Sequence, residues 1–325
     1  MAAASAVAIL PFTAFAQDAN GTGKSEKIPM KWAKIADSAP QDTLHVVLTG
    51  DILLDRGVRR VIERHGADAI FSPSVDSLLR RADVAVGNLE CPATKINAPS
   101  MKRFVFRADP EWLTTLRNHG FTHLNLANNH SVDQGRTGLA DTRKNVLLAG
   151  ITPIGAGENM AEASQPVLLA ATPRPVYMLA SLRLSLENYV YLTDRTCVSQ
   201  EPIDTLAARI ARLRAEQPAA YIIVSLHWGA EHTLSPVPIQ RIEARKLINA
   251  GADCLVCHHS HTLQTIEEYH GKKIYYSIGN FVFDQSADIN TRACAVQIDV
   301  FGDGANVTTL PVRIKNCVPE IVSSR

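Results

Sequence analysis

Val256-Cys257-His258-His259-Ser260-His261 places three histidines within four residues at the end of an apolar run. A neutral imidazole is the commonest side-chain metal ligand. Residues two apart in extended chain point the same way. His259 and His261 are therefore expected to face one pocket, and His258 to face away. Taken alone, the stretch could equally be a polar loop whose histidines only make hydrogen bonds.

Four other apolar runs empty into residues of the same kinds. The run 44–49 ends in Gly50-Asp51, and 84–86 runs into Gly87-Asn88-Leu89-Glu90. The run 121–126 meets Asn128-Asn129-His130, and 221–226 meets His227. Singly these are a turn, a loop and a capped core histidine. In open α/β sheets, however, ligands bind outside the carboxyl ends of the strands, and five such endings suggest one composite site. Carboxylate, amide oxygen and imidazole together, with no thiolate required, suit Zn, Mn or Fe. Asp51, Glu90, Asn129, His227, His259 and His261 are six candidate ligands. That is too many for one tetrahedral catalytic ion with an open position. It fits two divalent ions sharing a carboxylate, the arrangement used for in-line displacement at phosphorus; the expectation is one or two ions.

These endings need strands and helices to position them. Helices are expected at 75–81, 137–148, 203–213 and 239–248, with another capped by Asp109-Pro110 and ended near Gly120. Strands are expected at 254–257 and 273–278, and an antiparallel pair at 293–300 and 307–314 around Gly302-Asp303-Gly304. The alternation argues an α/β fold with a largely parallel sheet, joined late by antiparallel strands. Residues 181–200, with Arg183, Tyr189, Tyr191 and Arg195, read as a loop: either a substrate-side insertion or plain surface.

The 325 residues are 46% hydrophobic and 20% charged with net charge +1, an ordinary globular balance that offers no basis for nucleic-acid binding. No apolar run approaches the roughly 20 residues of a membrane span. The small apolar start and Ala14-Phe15-Ala16 fit a signal-peptidase site, although a positive n-region is missing. Residues 1–16 are thus expected to be a signal peptide, 17–42 a polar linker and 43–325 the functional domain, with export to the periplasm or cell surface. Six cysteines could pair in such a compartment. Cys254 and Cys257 are expected instead to be small buried hydrophobes facing opposite sides of one strand.

Gly50-Asp51, Asn88-Leu89-Glu90, Asn128-Asn129-His130-Ser131-Val132-Asp133-Gln134-Gly135, His227-Trp228-Gly229, His258-His259-Ser260-His261 and Tyr276-Ser277-Ile278-Gly279-Asn280-Phe281 resemble the CapA family of poly-gamma-glutamate capsule-biosynthesis proteins. The match runs in order from about residue 44 to 285. That family is similar to calcineurin-like metallophosphoesterases. The resemblance implies a four-layer α/β/β/α sandwich with metals at the strand ends. It puts Asp51 at the first-strand ligand, Glu90 near the bridging carboxylate, Asn129 at the amide ligand, and imidazoles from His227, His259 and His261. It implies His130 as proton donor to the leaving group, oriented by Asp133. Arg56, Asn128 and Asn280 are the candidate substrate-binding residues; Arg103 and Arg107 are further cations that could meet an anion.

The chain departs from the phosphoesterase pattern in three places. Ile52-Leu53 follows Asp51, so the first strand lacks the Asp-x-His of those enzymes. Glu90 replaces the Asp of Gly-Asp-x-x-Asp. Cys257 stands where a glycine usually precedes His-His. Two functions follow. One is a metal-dependent hydrolase of phosphoesters at the cell envelope. The other is a non-catalytic envelope module that binds or helps export an anionic polymer such as poly-gamma-glutamate, beside other biosynthesis or export proteins. Hydrolysis of an amide in such a polymer is a weaker third reading.

Overall fold

The computed structural model describes residues 43–186 and 192–322. The expected signal peptide and linker, with Tyr189 and Tyr191, lie outside the described residues.

The architecture is mixed α/β. It contains two principal sheets where strand alternation alone suggested one. The first runs, edge to edge, through Val318–Ile321, Ala305–Lys315, Arg292–Val300, Leu44–Ile52, Val84–Leu89, His123–Asn125 and Thr152–Ile154, with Asn280–Val282 beside the end of Leu44–Ile52. Its last four strands in that order are parallel, and its first four are antiparallel. The second runs through Ile266–Tyr269, Lys272–Tyr275, Cys254–Val256, Tyr221–His227, Val176–Leu182 and Val167–Ala170.

The apolar runs are nearly continuous because both faces of these strands are buried. In Leu44–Ile52, Val46 and Leu48 join Met178, Ile223 and Val256 of the second sheet in one core. Val47 and Ile52 join Val58, Val75, Leu79 and Leu139 from the helices on the other side. In Tyr221–His227, Ile222, Val224 and Leu226 pack with Leu206 and Ile210 of helix Ile203–Glu216 and Leu247 of helix Pro238–Asn249. Val176–Leu182 pairs along its whole length with Tyr221–His227. It was not assigned from sequence because a strand buried on both faces lacks the period-two signature.

Cys254 packs between the sheets and Cys257 against the helices, which is the expected opposite facing. All six cysteines are unpaired. Asp109 does not cap the following helix, which starts at Trp112; its carboxylate pairs with Lys95 instead.

The first strand does not stop at Gly50. It continues through Asp51 to Ile52, with a bulge after Leu48. Gly50 permits this because a Cβ there would fall 2.0 Å from the Gly279 carbonyl oxygen. The close approach lets the Asp51 N–H donate to Gly279 O at 3.1 Å. Asp51 is thereby in register with Asn88 on one side and Asn280 on the other.

Candidate metal centre

The first sheet supplies Asp51, Asn88 and Glu90 from adjacent parallel strands, and Asn129 from the loop after His123–Asn125. The second supplies His227 from a strand end and the histidines after Cys254–Val256. Glu90, His227 and His259 form one group whose ligand atoms all lie within 4.8 Å of one another; Asp51, Glu90 and His261 form another. Glu90 belongs to both.

In the first group, His227 Nε2 lies 2.8 Å from Asn129 Oδ1, 3.1 Å from His259 Nδ1 and 3.5 Å from Glu90 Oε1. Two ligands at 2.0–2.2 Å from a shared tetrahedral ion would be roughly 3.3–3.6 Å apart. In the second, His261 Nδ1 is 3.3 Å from Asp51 Oδ2 and its Nε2 is 3.8 Å from Glu90 Oε1. All six candidate ligands are brought together.

His258 does not face away. Its Nδ1 is 3.2 Å from Asp51 Oδ1. Alternation from Val256, which packs between the sheets, through Cys257, which packs against the helices, brings His258 back to the inter-sheet side. It breaks only beyond His258, where His259 has φ 99° and His261 φ 55° and both rings turn to the same centre. Left-handed backbone at a non-glycine residue costs about 1–3 kcal/mol and persists where surroundings over-determine it, commonly at functional sites.

Electrostatics support a cation. Glu90 is fully buried, and neither carboxylate oxygen has a hydrogen-bond partner. A buried unpaired carboxylate is costly. Burial, reinforced by Asp51, holds Glu90 well above the usual carboxylate range. Burial would raise Asp51 too, but the His258 and His261 rings, 3.2 and 3.3 Å from its oxygens, outweigh it and hold the group well below that range. Burial and the neighbouring His259 lower His227, and burial pushes His259 down to about 4, so both rings are neutral as ligation requires. Burial opposes charge on His261, yet Glu90 and Asp51 prevail and push it up to about 9. The donor set and the orphaned Glu90 oxygens fit a divalent cation.

Asn88 and Asn280 brace the centre. Asn88 Nδ2 donates to Asp51 Oδ1 at 2.8 Å and lies 3.3 Å from His227 Nδ1. Asn280 Oδ1 is 2.9 Å from His261 Nδ1. The residues expected to bind substrate are committed to internal contacts. Asn128 Nδ2 donates to Leu89 O and Asn88 Oδ1, and Asn280 Nδ2 to Gln285 and Asn290. Buried amides need such partners. Arg56 donates to Asp284 and lies over the Phe106 and Phe283 rings. Arg103 lies over Phe104.

His130 Nδ1 is 2.8 Å from Asp133 Oδ2, the orienting contact the resemblance implies. Burial lowers His130, and Asp133 works the other way. Sequence reading missed Lys102. Its side chain is only 7% exposed, with Nζ 2.5 Å from Asp133 Oδ1 and 2.9 Å from the Asn129 carbonyl. No local signal separated it from Arg103, its exposed neighbour. Lys102, Asn129, Leu184, Ser185, Glu231 and His259 line a cleft of about 300 Å³ that reaches the centre.

Fold and site together define a two-sheet α/β protein with a histidine–carboxylate cluster, able to hold metal, at the strand ends. A family model described as bacterial capsule synthesis protein PGA_cap matches residues 45–285, and the chain belongs to that family. It is 31% identical over 291 residues to the capsule biosynthesis protein CapA of Bacillus anthracis, covering 87% of this chain and 70% of that protein. It is 31% identical over 282 residues to the PGA biosynthesis protein CapA of Bacillus subtilis, covering 86% and 73%. Among solved structures, a hypothetical protein from Thermus thermophilus has a TM-score of 0.52 at 14% identity, over 82% of this chain and 98% of that one; the likeness is of fold. No helix among the described residues is long and apolar enough to cross a membrane.

Proposed function

We propose that this capsule-synthesis family member is an exported, metal-dependent hydrolase of phosphoesters at the cell envelope. The observation that carries the reading is Glu90, fully buried with no hydrogen-bond partner on either oxygen and common to both ligand groups. Asp51, Glu90, Asn129, His227, His259 and His261 would hold one or two divalent ions. Such ions supply a Lewis acid for a phosphoryl oxygen and acidify water. The protein's own residues do the rest. Asn88 and His258 fix the Asp51 carboxylate. Asp133 sets the His130 ring. With Nδ1–H on Asp133, a neutral His130 presents only a lone pair at Nε2, so delivering a proton to a leaving group requires the imidazolium.

One observation favours a second reading, the polymer-binding envelope module. Ile52 and Leu53, which stand where the phosphoesterases have their extra ligand, are fully buried in the core. Metal analysis of chelator-free protein, with a screen of generic phosphomonoesters and phosphodiesters, separates the two. Bound metal with turnover supports the hydrolase; metal-replete protein inert to every ester supports the module. Export is proposed from Ala14-Phe15-Ala16, and sequencing the native N-terminus after fractionation tests it. An intact Met1 in the cytoplasm would sink it.

A further inference from the structure

A larger cleft, about 670 Å³, lies away from the metal-type cluster, between helix Arg56–His65 and the end of strand Ala305–Lys315. Arg60, Arg64 and His65 line it from the helix, Arg313 and Lys315 from the strand, and Asp284 also lines it. Arg60 and Arg64 are one helical turn apart and share a face. Arg313 and Lys315 are exposed and alternate with buried Val312 and Ile314, so they point to the same side of the strand.

The charge in this cleft is not balanced. Asp284 already holds Arg56. Asp288, which pairs with Arg313, also takes Arg292. Among the described residues, no carboxylate lies within ion-pair distance of Arg60, Arg64 or Lys315. Other surface cations are paired, Arg80 with Asp76, Arg212 with Glu216, Arg245 with Glu267 and Lys246 with Asp204, and unpaired ones such as Lys144 do not line this cleft. Like charges gathered round a concave surface repel one another, and a bound anion relieves that repulsion.

We propose that this cleft is a second binding site and that it holds a polycarboxylate chain. The cations lie on helix and strand at intervals of about 5–7 Å along each element. That spreading suits successive carboxylates along a chain better than one compact anion. Arginine forks match carboxylates with two parallel hydrogen bonds. Among the described residues no phenylalanine, tyrosine or tryptophan lines the cleft, so the base-stacking surfaces of single-stranded nucleic-acid sites are lacking. A hydrogen-bonded path through Gln285 links the cleft to the candidate metal centre. Gln285, in the cleft's lining, accepts from Asn280 Nδ2 at 2.9 Å, and Asn280 Oδ1 is 2.9 Å from His261 Nδ1. A chain held here would lie two hydrogen bonds from a candidate ligand. The inference deepens the anionic-polymer part of the proposed function and stands without the hydrolytic part.

The test is an anisotropy titration of the full chain with fluorescein-labelled polyglutamate, at low and at high salt. Arg60→Glu/Arg64→Glu, Lys315→Glu and, as a control on the exposed helix face of Gly135–Leu148, Lys144→Glu are compared with the native protein. The double reversal is expected to weaken binding about tenfold or more, Lys315→Glu by less and Lys144→Glu not at all, with melting temperature and metal content unchanged. Added salt should weaken native binding. No native binding, no effect of the cleft reversals, or an equal effect of Lys144→Glu would each overturn the site. Equal affinity for polyphosphate of matched charge would overturn the assignment to carboxylates. His259→Ala should bind the polymer like the native protein. This binding pattern in a protein inert to every ester would remove the hydrolase reading and leave the cleft intact.

Discussion

His258 Nδ1 lies 3.2 Å from Asp51 Oδ1, joining two residues that belong to different sheets. His258 is in neither ligand group; it holds a carboxylate that is. Outer partners of this kind typically contribute 10–100-fold to metal affinity. His258→Ala is expected to weaken Zn or Mn binding within about that range while leaving the fold intact. Titration calorimetry on metal-stripped protein checks this, and native-like affinity in the variant would deny His258 the role.

His130 and His259 should separate by metal content. His130→Ala is expected to keep its metal and lose about 10²–10⁴-fold in rate, the usual contribution of a general acid. His259→Ala should lose metal and activity together. Elemental analysis and rates on both variants decide it. Equal metal loss would make His130 a ligand, and unchanged rates in both would favour the polymer-binding module.

Lys102 and Asp133 form a buried pair, their side chains 7% and 0% exposed. Removing one partner of such a pair strands the other charge at about 3–5 kcal/mol. Lys102→Met is expected to destabilise by about that much, since Asp133 would keep only its bonds to Phe106 N–H and His130. Lys102→Met/Asp133→Asn should cost less than the sum of the single changes. Chemical denaturation of all four proteins measures the coupling; additive costs would mean the pair does not act as one.

His123, buried in its strand, has its imidazole pushed down to about 4 by burial. Unfolded, it would titrate near 6.5. Between these values the unfolded chain binds the extra proton, so stability falls as pH falls from about 6.5 to about 4 and the contribution is flat outside that window. The total is about 3 kcal/mol in order of magnitude. His123→Leu should therefore lose stability less steeply with acid than the native protein. Melting curves from pH 7 to 4 test the difference in slope, in which the other buried histidines cancel; parallel curves would rule it out.

Much of the site was legible in the chain because strand ends are legible. Runs such as 221–226 are apolar because both faces of the sheet are covered, and the polar residue after each run marks where cover stops. Asp51 shows the limit. Its strand was expected to end at Gly50, but the absent Cβ admits Gly279 and keeps the strand going. Val176–Leu182 was invisible for a related reason: uniform burial removes the alternation that would announce it.

The sequence by itself determined the ligand chemistries, the α/β alternation and the family. Tertiary structure decided which of these residues meet. Hydrophobic periodicity reports a residue's face relative to its own strand, and it says nothing about which sheet that strand joins. Asn129 and His227, 98 positions apart, touch at 2.8 Å only because two sheets pack face to face with their strand ends together. The left-handed turns at His259 and His261, which bring their rings to the centre that His258 already faces, are set by the packed surroundings. Their backbone angles are disfavoured locally, so no local pattern could announce them.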